Sequence, residues 1–465
     1  MVDEKWDVIV VGCGIAGLGV AAQLARQGLR VICFERDAQV GGRLQSFSLE
    51  GGWRVDIGLH MTELGEHGAA SELVRRVGGE VPWPPFSETV QFFQDGSWKN
   101  VAELVQLSPE DRKVFGALLQ RVAAMTDLEI AAQDAVSWED WLARQGLSEP
   151  IRRLLALLSM IMTTLPHPAE QAAGEVLFIA RENLLKKRQV LSANYPIGGM
   201  AAITTPLREA VEAHGGRIET DCDVQELIIE NRAVRGVRIP RRNQALPYPA
   251  AYGVPDTEAV LAETVVCALP TYHLHRVLDL HPARTALPSW WVRWVRDTAT
   301  EITGLVGYVL GLREPVTDKR CFFCALDLPY TGLAFQAFPA SIYDPSIAPP
   351  GKQILHTDCV IDYEDVKDLF TVRAKLEAMW LDLALLFPGI ADKVEFRLPY
   401  RTVGCDGLAR KPGLVGDYKP DVEAPGVRGL YFAGDTYRGR GLAMNGAARS
   451  AMLCADRILE RLGRV

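Results

Sequence analysis

Three observations predict that this 465-residue chain adopts an α/β fold, with a parallel sheet built from discontinuous segments and a mixed α+β second domain set between them. Near the start, residues 6–46 run apolar strand, Gly12-x-Gly14-x-x-Gly17, helix, second apolar strand, acid. Near the end, residues 428–458 run short strand, glycine turn, long alanine-rich helix. Between them lie two stretches of different composition that carry no such motif.

The first strand, Asp7-Val8-Ile9-Val10-Val11, is nearly continuous in apolar residues, as a strand buried on both faces should be. Gly12 permits the tight turn out of it. Gly14 lets a pyrophosphate approach the backbone, and Gly17 lets the helix pack close to the sheet. A helix beginning near Ile15 carries Ala16 in its first turn and presents free N–H groups and a positive dipole end. Gly28 stops it, and Arg30–Phe34 forms the second strand. Glu35, followed by Arg36, stands at about the spacing expected of an acid that binds a ribose hydroxyl. An acid there disfavours a 2′-phosphate, so NADP is a poor fit. The ordered context makes this a dinucleotide cradle, but does not separate NAD from FAD.

The next residues do. Val40-Gly41-Gly42-Arg43-Leu44, and then Val55-Asp56-Ile57-Gly58-Leu59-His60, resemble the extension found in the flavin amine oxidase and phytoene desaturase superfamily. The resemblance implies a glutathione-reductase-type Rossmann domain that binds FAD. It places Gly41, Gly42 and Arg43 at the FAD phosphates, and Gly58 and Leu59 beside the flavin ring. It also places the backbone near Val224 at the adenine end. The terminal block resembles the same superfamily: Gly434-Asp435 implies a ribityl contact through the Asp. Leu442, Ala443 and Met444 then stand where a helix N-terminus faces the N1/O2 edge of the flavin, a dipole suited to negative charge there.

Composition sets bounds. Hydrophobic residues make up 48% and charged residues 23%, an ordinary globular balance. A net charge of −8 and the lack of basic runs argue against nucleic acid as a partner. No signal peptide is recognisable, and no apolar run approaches the roughly 20 residues that span a bilayer. Leu154–Leu165 reads as a buried helix. Nine cysteines without framework spacing point to a reduced, cytoplasmic protein, with peripheral membrane contact left open. Cys321-x-x-Cys324 reads as structural.

The expected order is nucleotide domain 1–78, mainly helical insertion 79–190, nucleotide domain 191–284, second insertion 285–395, and nucleotide domain 396–465. Ser108-Pro109-Glu110-Asp111 and Ser137-Trp138-Glu139-Asp140 are helix starts. Pro196–Met200 opens a helix to about His214, followed by strands at 216–220, 223–230, 234–239 and 264–270. Residues 239–262 read as a long loop. The helix with Trp290, Trp291 and Trp294 reads as core packing, with a membrane contact or channel wall as the other reading.

FAD chemistry implies hydride transfer, and no second dinucleotide motif provides for NAD(P)H. Electrons are expected to pass between a hydrophobic small molecule and FAD, then to an acceptor such as O2 or a quinone. Ala443 replaces the aromatic residue usual in amine oxidases, which favours a desaturase- or saturase-like reaction at CH–CH bonds. Amine oxidation with O2 is the alternative, protoporphyrinogen oxidase-like chemistry lies between, and a non-catalytic FAD-binding protein is a lesser one. His60 is the candidate proton-handling residue, with a hydrogen-bonded structural role as the other reading. Asp56 reads as an anchor, and Arg438 and Arg440 as solvent-facing or, alternatively, ligand-holding.

Overall fold

A computed structural model describes residues 5–58, 61–87, 89–187, 193–241 and 256–464. Leu59 and His60, with the roles expected of them, lie outside the described residues.

Short apolar strands order into a five-stranded parallel sheet: Leu430–Phe432, Thr264–Cys267, Val8–Val11, Val31–Phe34, Arg217–Glu219. Strand alternation divides its side chains between two cores. Val8, Val10 and Val31 pack beneath the helices Ile15–Arg26, Ala201–Ala213 and Ala443–Arg461. Ile9, Val11 and Ile32 face a three-stranded antiparallel sheet and the helix Ser289–Asp297. In that helix Trp291 is 1% exposed and stacks on Phe432 with centroids 5.3 Å apart, so it is core packing, while Trp290 is 63% exposed.

The three-stranded sheet corrects one expectation. Thr257–Leu261 pairs antiparallel with Gly236–Pro240, inside the stretch read as a loop. Its residues alternate too weakly to register as a strand in isolation.

The second body is a seven-stranded mixed sheet in the order Val394–Val403, Gly304–Leu312, Gln353–Ile361, Phe335–Phe338, Cys321–Ala325, Thr89–Gln94, Ser97–Asn100. The hairpin at 89–100 comes from the insertion expected to be mainly helical, so both insertions build one sheet. The expected boundary at 395/396 falls inside the strand Val394–Val403. One sheet face is covered by the helix Leu369–Leu386. The remainder of the first insertion is helical among the described residues. Ser108 caps Pro109–Ala124 in a reciprocal pair with Asp111, and Ser137 caps Trp138–Ala143. Glu149–Thr163 buries Ile151, Leu155 and Leu158. All nine cysteines, Cys321 and Cys324 among them, are buried thiols.

Candidate functional site: a cavity between two helix N-termini

The carboxyl ends of the parallel strands open on a cavity of about 330 Å³, within the range of small-molecule sites. Gly12, Gly14, Ala16, Glu35, Arg36, Gly41, Gly42, Arg43, Val224, Gly434, Asp435, Ala443 and Met444 all line it. Residues more than four hundred positions apart in sequence therefore share one surface.

Its floor is backbone. Gly12 leaves the first strand at φ +93°, a left-handed conformation that suits glycine. Gly17 is not in the lining: a Cβ there would sit 1.9 Å from Gly12 O, so its role is close packing of the turn. Gly41 N–H donates to Cys13 O at 2.8 Å, folding the Gly41-Gly42 turn onto the glycine loop. Gly58 is also outside the lining; it pairs with Leu44, and its missing Cβ leaves room for Arg43 O. No side chain caps the helix that starts at Ile15, nor the one that starts at Ala443. Each presents its first-turn N–H groups to the cavity rim.

Charges tie the walls together. Arg43 donates to Asp435 Oδ1 at 2.8 Å and to Gly404 O and Cys405 O at 2.5 and 2.9 Å. Burial alone would raise the Asp435 carboxyl, but Arg43 and the Gly407 N–H hold it below its ordinary range. Glu35 accepts from Cys13 N at 2.7 Å and Asp37 N at 3.1 Å, while burial pushes its carboxyl up. Asp56 anchors, as expected: it accepts from Ser46, the Tyr195 hydroxyl and, at 3.2 Å, Met200 N.

Arg440 corrects the sequence reading, whereas Arg438 stays partly exposed, as the solvent-facing reading has it. Arg438 pairs with Asp417 and Asp421. Arg440 is largely buried against Asp134 and Glu175, which carries the chain on to Arg410 and Asp406. Five alternating charges thus clamp the helical insertion to the turn before the last helix. Glu175 also accepts from Gly441 N at 2.8 Å.

Sequence reasoning missed one wall. Ala268, Leu269, Pro270, Tyr272, His273 and Arg276 follow the parallel strand Thr264–Cys267 and line the cavity. The carboxyl-end rule for parallel strands was the available signal. Burial, helped by Arg36 and Arg276, pushes the His273 imidazole down to about 4. Burial pushes the Tyr272 phenol up to about 12.

Two smaller cavities continue past Ala443. One of about 50 Å³ shares Cys405, Ala443 and Met444 with the main cavity and adds Met61, Glu63, Ile161, Thr164, Leu305, Gln336, Asp358, Asp406 and Leu442. The next, about 20 Å³, reaches Val90, Ile179 and Phe322. Leu442 lines these two and not the main cavity. Burial raises the Glu63 carboxyl, which accepts from Asn445 Nδ2 at 3.0 Å.

The donor set fits FAD: glycine backbone and an open helix N-terminus for phosphates, acids for hydroxyls, and a second helix N-terminus opposite. The comparisons agree. The sequence model of the family described as flavin containing amine oxidoreductase matches residues 15–459, and the chain belongs to that family. It is an FAD-dependent oxidoreductase. It is 22% identical to a chloroplastic prolycopene isomerase of Daucus carota, over 99% of this chain and 81% of that protein. It is 23% identical to a 15-cis-phytoene desaturase of Synechococcus elongatus, over 98% and 96%. Among solved structures, an oxidoreductase from Methanosarcina mazei superposes with a TM-score of 0.75 at 22% identity, covering 98% of this chain and all 100% of that one. Putrescine oxidase superposes at 0.64 with 16% identity, covering 98% and 100%.

Proposed function

We propose that this enzyme oxidises or reduces a CH–CH bond of a hydrophobic small molecule held beyond Ala443 and Met444, in the manner of phytoene desaturases. The observation that carries this reading is the wall at the start of the last helix. Ala443 stands there, and among the described residues no aromatic side chain lines the cavity of about 50 Å³ beside it. The sequence likeness to a phytoene desaturase supports the same reading.

When bound, FAD supplies the hydride acceptor or donor. The chain's own groups position and shield. The N–H groups at Ile15 and Ala16 and the Gly41-Gly42 turn would hold the phosphates. Glu35 and Val224 would hold the adenosine end, with Arg36 beside it, and Asp435 the ribityl chain. The open N-terminus at Ala443 would stabilise negative charge on the flavin. Met61, Ile161, Leu305 and Leu442 would exclude water from the reacting bond. His60 is the proposed proton-handling residue. The electron acceptor is O2 or a quinone. Nine buried cysteine thiols support a reducing, cytoplasmic setting. Among the described residues no helix is long and apolar enough to cross a membrane.

Amine oxidation is the second reading. Glu63, Asp358 and Asp406 favour it, since carboxylates suit a cationic substrate. Anaerobic flavin bleaching separates the two. The proposal expects a polyene to reduce the flavin, or to reoxidise the photoreduced flavin, and primary amines to leave it unchanged. Bleaching by amines with no response to polyenes would reverse the order.

A further inference from the structure

Glu175, the acid at the centre of the ion-pair chain, lies in the first turn of the helix Ala173–Lys187. The start of that helix is pinned on both sides. Ala172 N–H donates to Arg410 O at 2.7 Å, and Ala173 N–H to Val136 O at 2.9 Å. Gly174 leaves no room for a side chain, since a Cβ there would lie 2.0 Å from Asp134 Oδ1. Glu175 is therefore buried and held by a fixed element of the inserted half.

Its carboxylate reaches the turn at 439–441, which leads into the last helix. Oε1 accepts from Gly441 N at 2.8 Å and lies 3.8 Å from Arg410 Nε, while Oε2 lies 3.7 Å from Arg440 Nη1. Arg410 donates to Gly441 O at 3.4 Å, so Gly441 is held at both its N–H and its carbonyl. Two residues further on, Ala443 lines the main cavity. Lys419 braces the same turn, donating to Asp435 O and Gly439 O at 2.9 and 3.3 Å. Three acids, Asp134, Glu175 and Asp406, thus stand against three cations, Arg410, Lys419 and Arg440. Loss of the Glu175 charge alone would leave this group with one net positive charge. In a buried setting that charge acts at longer range than it would in water.

We propose that Glu175 is a positioning residue for the flavin: it fixes the turn at 439–441 through Gly441, and its charge holds the flavin potential down. This rests on the reading that the flavin end of FAD lies against Ala443 and Met444. Negative charge develops on the flavin as it is reduced. The helix N-terminus at Ala443 favours that charge, and the Glu175 carboxylate opposes it. Arg440, on the other side of Glu175, acts with the opposite sign.

The test is the midpoint potential of the FAD-loaded protein, read from the visible spectrum in equilibrium with a reference dye. Glu175→Gln keeps an acceptor for Gly441 N–H and removes the charge. It should shift the dye equilibrium towards reduced flavin by at least about tenfold, a rise of about 30 mV for two electrons. Glu175→Asp keeps the charge and should stay within about threefold of the wild type. Arg440→Gln should shift the equilibrium the other way. A structural clamp without electrostatic reach would give no such pair of opposite signs. Shifts of one sign in Glu175→Gln and Arg440→Gln, or an equal shift in Glu175→Asp, would overturn the inference. Arg36→Gln, at the Glu35 end of the cavity, should leave the potential unchanged. A shift there with none at Glu175 would overturn the placement of the flavin as well, whereas no shift at either position would overturn this inference alone. If Glu175→Gln fails to retain FAD, the sign of the shift in Arg440→Gln decides. Loss of FAD from both would mark the charges as scaffold and overturn the inference.

Discussion

The two sheets meet at one cavity but are specified in different ways. The parallel sheet has strands of three or four residues, of which Leu430–Phe432 and Val8–Val11 are buried throughout, with its ligand groups in the turns that follow. The seven-stranded sheet has strands of nine and ten residues, Gly304–Leu312 and Val394–Val403, and its lining groups sit within strands. Turns place backbone N–H groups, which every residue carries. Strand interiors place side chains, which differ from chain to chain. The first arrangement suits an unchanging cofactor, and the second a substrate that varies within a family.

Substitutions can break or sharpen that contrast. The largest effect is expected at Gly17→Val, where the new Cβ collides with Gly12 O at 1.9 Å. A loss of more than about 4 kcal/mol, with FAD absent from the purified protein, is predicted. Gly307→Ala makes an equally close approach, 1.9 Å from Thr357 O, but in the other sheet. About 3 kcal/mol of stability should go, yet the molecules that remain folded should load FAD fully. Equal loss of FAD in both variants would deny that the two halves are specified separately.

A smaller effect is expected from His273. Its folded value of about 4 lies below the ordinary 6.5. The apo-protein should therefore hold this contribution above pH 6.5 and lose it as the pH falls towards 4. Discounted for its partial exposure, the loss is about 2 kcal/mol, and His273→Gln should flatten that part of the denaturation profile. The smallest effect is at Ala443, a non-glycine residue at φ +42°. Ala443→Gly should raise stability by about 1 kcal/mol without loss of FAD, read from thermal unfolding.

The same contrast explains what was legible in the sequence. Gly12, Gly14, Gly17 and Glu35 were readable because each answers a local backbone demand at fixed spacing. Ala443 was readable as a missing aromatic within a known turn. The hairpin at 89–100 was hidden because its partner strand, Cys321–Ala325, lies over two hundred residues away. Asp406 was invisible for a related reason. Its bonds to Thr164 and Arg410, and its place in a cavity lining with Met444, arise only from the packing of three segments. Arg440 was misread because Asp134 and Glu175, which bury its charge, belong to the helical insertion.

A crystal structure of the FAD-loaded enzyme tests the central claim most directly. The account predicts the adenosine between Glu35 and Val224, the phosphates at the uncapped N-terminus of Ile15–Arg26, and the flavin edge against Ala443 and Met444. Flavin density at the Glu35 end, or outside this cavity, would contradict it.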